Sequence, residues 1–259
     1  MLGNGGTLKA NFWRALTDND MGADFQHKLG VWRNPEMKLI SLTTQTVANG
    51  TMKAHPTVIA CYDMPAVKAQ LKLTYTIFEK GKLNVKMQMT TDKDAKVSDM
   101  LRFGMVMQMP YDMDQSRFFG RGPIENYSDR KASERIGIYK QTADQQFFPY
   151  IRPQETGTKQ DIKWWLQTNA SGTGIVIHGL SGDLSMSALH YAIADLDDGL
   201  EKEQRHSYQV KKSPFTNLCI DKEQTGVGGT NSWGSWPLEP YRLHYGDRSF
   251  EFSISPRMK

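Results

Sequence analysis

Through the middle of the chain, apolar and polar residues alternate with a period of two. Val67, Ala69, Leu71, Leu73, Tyr75 and Ile77 interleave with mostly polar Lys68, Gln70, Lys72, Thr74 and Thr76. Glu79-Lys80-Gly81-Lys82 marks a turn, after which Leu83, Val85, Met87 and Met89 alternate with Asn84, Lys86 and Gln88. Successive strand side chains point to opposite faces, so this pattern predicts a hairpin with one dry and one wet face. Leu101, Phe103, Met105, Met107 and Met109 repeat it as far as Pro110, which ends a strand. Further on, Ile162, Trp164 and Leu166 alternate with Lys163, Trp165 and Gln167, which puts the first three on the dry face. Gly174-Ile175-Val176-Ile177 reads as a short buried strand, and Leu184, Met186 and Ala188 alternate with serines. Phe215 to Asp221, and Phe250, Phe252 and Ile254, complete the series. At least eight strands and few helices predict an all-β fold, a large antiparallel sandwich.

Helical spacing is rare. Met21, Phe25, Leu29 and Trp32 show it behind Asp18 and Asp20, either of which can cap a helix. Ile193, Leu196 and Leu200 predict one more turn, ending near Gly199. Residues 116–136, 149–161 and 226–241 lack alternation and read as long loops. Such stretches inside a compact domain are usually functional or specially packed.

The length of 259 residues suits one large all-β domain, taken as 1–259. Residues 1–8, with Gly3-Asn4-Gly5-Gly6, are expected to be frayed or foreign to the natural chain. The net charge of +4 comes from 32 basic and 28 acidic residues with no long basic run, which argues against a nucleic-acid partner. No stretch approaches the ~18 consecutive apolar residues of a membrane helix, and the start does not resemble a signal peptide. The compartment stays open. Cys61 and Cys219 form no CxxC, which excludes a zinc ribbon; both as buried small hydrophobes, or a long-range disulfide, are open readings. His27, His55, His178, His190, His206 and His244 show no metal-ligand spacing, so neither a metal nor another cofactor is expected.

Three segments carry candidate chemistry. In Gly120-Arg121-Gly122-Pro123-Ile124-Glu125-Asn126-Tyr127-Ser128-Asp129-Arg130, the glycines permit positive φ and close approach, and the charges can form an ion-pair network that pins two sheets together. Pro149-Tyr150-Ile151-Arg152-Pro153-Gln154-Glu155-Thr156-Gly157 reads foremost as a stiff crossover, although Arg152, Gln154 and Glu155 offer hydrogen-bonding groups of the kind sugars need. In the glycine-rich segment from Gly226 to Pro237, Trp233 is flanked by Asn231, Ser232 and Gly234 and suits an exposed sugar platform, whereas Trp236 suits the core. It is not a phosphate loop, because no Lys-Ser/Thr follows. Mutarotation by general acid–base catalysis would need His178 or His190, His206 and Glu155 in one place. A retaining glycosidase needs two carboxyl groups ~5–5.5 Å apart. Glu125, Asp129, Glu155 and Asp161 are available, but spacing pairs no two of them.

At these segments the chain resembles the C-terminal domain of family-two β-galactosidases. Asn11-Phe12-Trp13-Arg14-Ala15-Leu16-Thr17-Asp18-Asn19-Asp20 is similar to their NFWRAPTDND, Gly120 to Arg130 to GxGPxENYxDR, Pro149 to Gly157 to PYxxPQENG, and Gly226 to Gly234 to GxGGxDSWG. The resemblance implies a galactose mutarotase-like antiparallel supersandwich, the last of five domains. It also implies that the catalytic glutamates lie upstream in a (β/α)₈ barrel, so that no catalytic residue belongs to this chain. Trp233 matches the tryptophan lining the aglycone side of the galactoside site. Asn231 and Ser232 beside it are the other substrate-binding candidates, and Glu125, Asn126 and Arg130 are candidates for a cleft-side loop network. The implied partners are a β-galactoside, the remaining domains and, through an unpaired sheet edge, a second copy. A mutarotase-type enzyme and a purely structural assembly domain are the alternatives. Leu16 replaces the family's usual proline and Thr156 its usual asparagine, and strands that precede the first segment in the family are expected to be missing.

Overall fold

A computed structural model describes residues 6–47, 54–201, 205–231 and 234–257. Its strands form two sheets, paired antiparallel throughout. The smaller runs β1 (Leu8–Asn11), β6 (Arg102–Pro110), β13 (Phe215–Gln224), β12 (Leu184–Leu189) and β9 (Lys159–Ile162). The larger runs β2 (Lys38–Val47), β3 (His55–Met64), β4 (Ala69–Ile77), β5 (Leu83–Thr91), β14 (Arg248–Arg257), β11 (Gly174–Gly179), β10 (Trp164–Thr168), β7 (Gln115–Gly122) and β8 (Arg135–Thr142). The all-β sandwich read from the alternation is the fold.

The main core lies between the sheets. Phe103, Met105, Met107 and Met109 of β6 and Leu218 and Ile220 of β13 face Val85 and Met87 of β5 and Phe250, Phe252 and Ile254 of β14; all are sealed from solvent. Methionines fill irregular gaps because their side chains are unbranched and polarisable. The smaller sheet is also covered on its outer face. In β12 the serines Ser185 and Ser187 are as buried as the residues between them, and Arg102, Cys219 and Asp221 point the same way. The long loops form this third layer, with a small core of its own around Ala15, Leu189 and Leu196. At the opposite margin, among the described residues, Leu39, Ile40 and Leu42 of β2 are exposed.

Four expectations need correction. First, Trp165 rather than Trp164 is in the core, stacked 4.8 Å from Phe118. The chain leaves the smaller sheet after Ile162 and enters the larger one at Trp164, and this switch at Lys163 shifts the inward phase by one residue. Second, residues 116–122 of the first long loop belong to strand β7, whose inward positions include Ser116, Gly120 and Gly122. The two glycines do not adopt positive φ; a Cβ on Gly120 would meet Ile162 Cδ1 at 2.4 Å, so close approach is what they supply. Third, Thr17 caps the first helix, α1 (Asp18–Gly22), and Asp20 completes the capping box. The helical stretch breaks into α1, α2 (Phe25–Lys28) and a 3₁₀ turn at Gly30–Trp32, while the later turn, Ile193–Leu196, ends before Gly199. Fourth, Thr7 and Leu8 are not frayed. Leu8 pairs with Met107, and Thr7 O accepts from Gln108 N at 2.8 Å, because β6 offers its free edge to them. Both cysteines are free, in different sheets.

Candidate functional site

The four segments singled out in the sequence close around one open cleft of about 300 Å³ on the loop layer. Thr17, Asp18 and Asn19 come from the first, Tyr127 and Arg130 from the second, Tyr150, Gln154 and Glu155 from the third, and Val227 from the fourth.

Arg14 ties the first segment to the fourth. Its guanidinium, fully buried, grips Asp20 with two parallel bonds (Nε to Oδ2, 3.0 Å; Nη2 to Oδ1, 2.8 Å) and donates to the carbonyls of Thr225 (2.5 Å) and Gly226 (2.8 Å). Asn19 Nδ2 reaches Val227 O at 3.1 Å. The third segment docks on the first: Asp18 N donates to Gln154 Oε1 (2.8 Å), Glu155 N to Ala15 O (3.1 Å), and Arg152 Nε to Asp18 Oδ1 (2.9 Å). Arg152 also pairs with buried Asp198.

Glu125 joins the second segment to the third. It accepts from Gly157 N (2.7 Å), Thr156 Oγ1 (2.9 Å), Arg130 (2.7 Å) and the Tyr150 hydroxyl. Burial and the neighbouring Glu125 raise the Tyr150 phenol. Burial also raises Tyr127 well above its ordinary value, with Glu155 and Glu125 adding to it. Burial opposes the charge on Arg130, but hydrogen bonds to Tyr150 and Glu125 outweigh it. The Arg130 guanidinium lies 5.3 Å from the Tyr127 ring centroid.

The fourth segment is held by a carboxylate. Asp129 accepts from Val227 N (3.1 Å) and Gly228 N (2.8 Å). A Cβ on Gly226 would lie 2.4 Å from Asp129 Oδ2, so glycine is what lets the carboxylate sit there. Gly234, at φ +85°, then packs against Gly22, whose carbonyl oxygen a Cβ would meet at 2.5 Å.

The cleft presents the Asn19 carboxamide, the partly exposed Tyr150 phenol and the half-exposed Arg130 guanidinium, while Tyr127 and Gln154 line it from buried positions. Both of its carboxylates are held by arginines, Asp18 by Arg152 and Glu155 by Arg102 (3.0 Å). No histidine lines it. His190 is buried and stacked on Tyr111, with Nδ1 3.0 Å from Asp144 Oδ1 and Nε2 3.1 Å from Tyr111 O. His206 Nδ1 contacts Ile151 O, and His178 is exposed on the larger sheet. The trio required for mutarotation does not meet in this cleft. Among the described residues, no three His, Cys, Asp or Glu side chains form a group that could hold a metal ion.

A family model described as beta galactosidase small chain matches residues 1–255. The chain belongs to that family. This small chain is 29% identical to a beta-galactosidase of Priestia megaterium over 96% of its length, and 30% identical to one of Lactobacillus delbrueckii subsp. bulgaricus over 86%. Beta-galactosidase BgaC of Bifidobacterium adolescentis is 30% identical over 89%. The chain spans under a quarter of the length of these relatives: 23%, 21% and 22%. Among solved structures it is similar to an alpha-galactosidase of Geobacillus stearothermophilus (TM-score 0.46, 9% identity, 86% of this chain and 28% of that one). It is also similar to a GalM/aldose epimerase homologue from C. elegans (TM-score 0.39, 9% identity, 83% and 68%).

The sequence candidates fall into three groups in the small chain. Arg130 lines the cleft. Glu125 and Asn126 stand behind it: Asn126 is fully buried and spends its side chain on the backbone at Arg121, Ile124 and Gln160. The expected single ion-pair loop is two systems, Glu125–Arg130 and Asp161 with Arg121 and Lys131, while Asp129 binds amides instead. Asn231 is exposed, and Ser232 and Trp233 lie outside the described residues. Trp236, expected in the core, is half-buried against Phe25 at 4.5 Å. The segment read foremost as a crossover supplies Tyr150, Gln154 and Glu155 to the cleft. Tyr127, Asp18 and Asn19 were not singled out as site residues, although each lies inside a segment that was.

Proposed function

We propose that this chain is the non-catalytic wall of the sugar cleft in a β-galactosidase, on the side that receives the aglycone. The convergence of all four segments on one polar cleft carries this reading. Its accessible groups suit sugar hydroxyls, which need neutral donors and acceptors such as Asn19 and Tyr150. Its carboxylates are occupied by arginines, which supports a binding role and leaves hydrolysis of the β-galactoside to glutamates of the remaining domains.

Trp233, with Asn231 and Ser232, is the proposed contact with the second sugar. The described residues of the fourth segment support this reading: Val227 lines the cleft and Gly234 packs against Gly22 of α1. An indole stacked on a sugar contributes about 1 kcal/mol by analogy with aromatic contacts. In a β-galactosidase containing this chain, Trp233→Ala is therefore expected to raise KM roughly fivefold for disaccharides and to lower transfer to acceptor sugars. Unchanged KM and unchanged transfer would leave only an assembly role.

A further inference from the structure

Behind the cleft wall, one cation serves two anions in a place sealed from water. Arg102 of β6 is fully buried. Its Nη2 pairs with Glu155 Oε1 at 3.0 Å and its Nε lies 3.3 Å from Asp221 Oδ2. The same guanidinium donates to Gln224 Oε1 and Cys219 Sγ, both at 3.2 Å.

The two anions are not equally provided for. Glu155 lines the cleft and also accepts from Thr158 Oγ1 at 2.8 Å. Asp221 is fully buried, and among the described residues neither of its oxygens has a hydrogen-bond donor. The Nε–Oδ2 approach is an ion pair without hydrogen-bond geometry, and Arg102 Nε is itself without a partner.

Among the described residues, the surroundings add no second cation. From β6 come Arg102 and the bare backbone of Gly104, where a Cβ would overlap Asp221 Oδ1 at 2.0 Å. From β13 comes Cys219, whose thiol burial pushes up to about 12 and keeps neutral. From β12 comes Ser185, opposite Asp221 in register. The loop layer contributes Glu155 and, beside Arg102, the Tyr127 phenol. With both carboxylates ionised the cluster carries a net negative charge in a low dielectric, and a proton on Asp221 removes it.

We propose that Asp221 is a proton-sensitive positioning residue for the cleft, whose charge decides how Arg102 divides itself between Asp221 and Glu155. When Asp221 is neutral, Arg102 turns fully to Glu155 and fixes that carboxylate in the wall. When Asp221 is ionised, the guanidinium is shared and the hold on Glu155 weakens. Burial, partly opposed by Arg102 and reinforced by Glu155, raises Asp221 to about 7, which sets the change near neutral pH.

The test uses the whole chain with ¹³C-carboxyl-labelled aspartate and glutamate, followed by NMR between about pH 5 and 9. The Asp221 signal, identified by its loss in D221N, should titrate near pH 7. The Glu155 signal, identified with E155Q, should show a step at the same midpoint that disappears in D221N. If D221N does not fold, the coincidence of the two midpoints in the unsubstituted chain is the test. A Glu155 signal that stays flat near neutral pH, or a step that persists in D221N, would overturn the proposal. The measurement needs no ligand, so its failure leaves the proposed function standing.

Discussion

Removing the Arg14 guanidinium is the sharpest stability test of the arrangement, because one side chain holds two cleft segments. Among the described residues, Arg14→Ala leaves the Asp20 carboxylate, 2% exposed, with only the Thr17 amide of the capping box as a polar partner. Breaking a buried ion pair from one side costs about 3–5 kcal/mol. The carbonyls of Thr225 and Gly226 also lose their donor, at about 1–3 kcal/mol each if they stay dry. Neighbouring losses do not add fully, so about 4–7 kcal/mol is expected, comparable with the ~5–15 kcal/mol that holds a typical domain folded. Arg14→Lys is the more informative variant. A lysine keeps the charge but cannot span both Asp20 oxygens and both carbonyls, so a loss of about 2–3 kcal/mol is expected. Urea unfolding followed by tryptophan fluorescence measures it. Arg130→Ala is the control: its side chain is 52% exposed, and solvent-screened pairs contribute ~1 kcal/mol or less. A lysine variant within about 0.5 kcal/mol of the unsubstituted chain would refute the reasoning, since that is the size of an ordinary surface change.

Two further outcomes follow from the same structure. Gly226→Ala should drive Asp129 off the Val227 and Gly228 amides, because the new Cβ would sit 2.4 Å from its carboxylate; hydrogen exchange at those amides should rise about tenfold. Raising Asp221 from 3.8 to about 7 means the folded chain binds its proton more tightly than the unfolded chain does. The associated stability, roughly 4 kcal/mol, is complete below about pH 4 and falls away as pH rises from there to about 7, so unfolding scans should show a decline between about pH 4 and 7 that levels off above neutrality and that D221N flattens.

The fold was legible where one strand face meets the core and the other meets water. β4, β5 and β14 alternate visibly because their outer positions are polar and wet. It was illegible where that contrast fails. The inward face of β7 is partly glycine, β2 is exposed on both faces, and β12 is buried on both. Arg102 sits between two core residues in an alternating run, which marks it as solvated; only the loop layer above the smaller sheet makes that position dry. Loop packing at such range leaves no periodic trace in sequence. The cleft was half legible. Its four segments stood out by composition and resemblance, but a segment does not reveal which of its side chains point into the cleft. Glu125 and Asn126 carry sugar-binding chemistry on paper and spend most of it on hydrogen bonds within the second and third segments, whereas Asp18 and Asn19 face the opening.

The most direct test of the division of labour is turnover of a chromogenic β-galactoside by the purified chain, with and without the barrel-bearing part of a β-galactosidase. The account expects no hydrolysis by the chain alone above that of a sample in which the barrel glutamates are substituted, and hydrolysis once the missing part is supplied. Turnover by this chain alone that falls on substitution of Asp18 or Glu155 would contradict it.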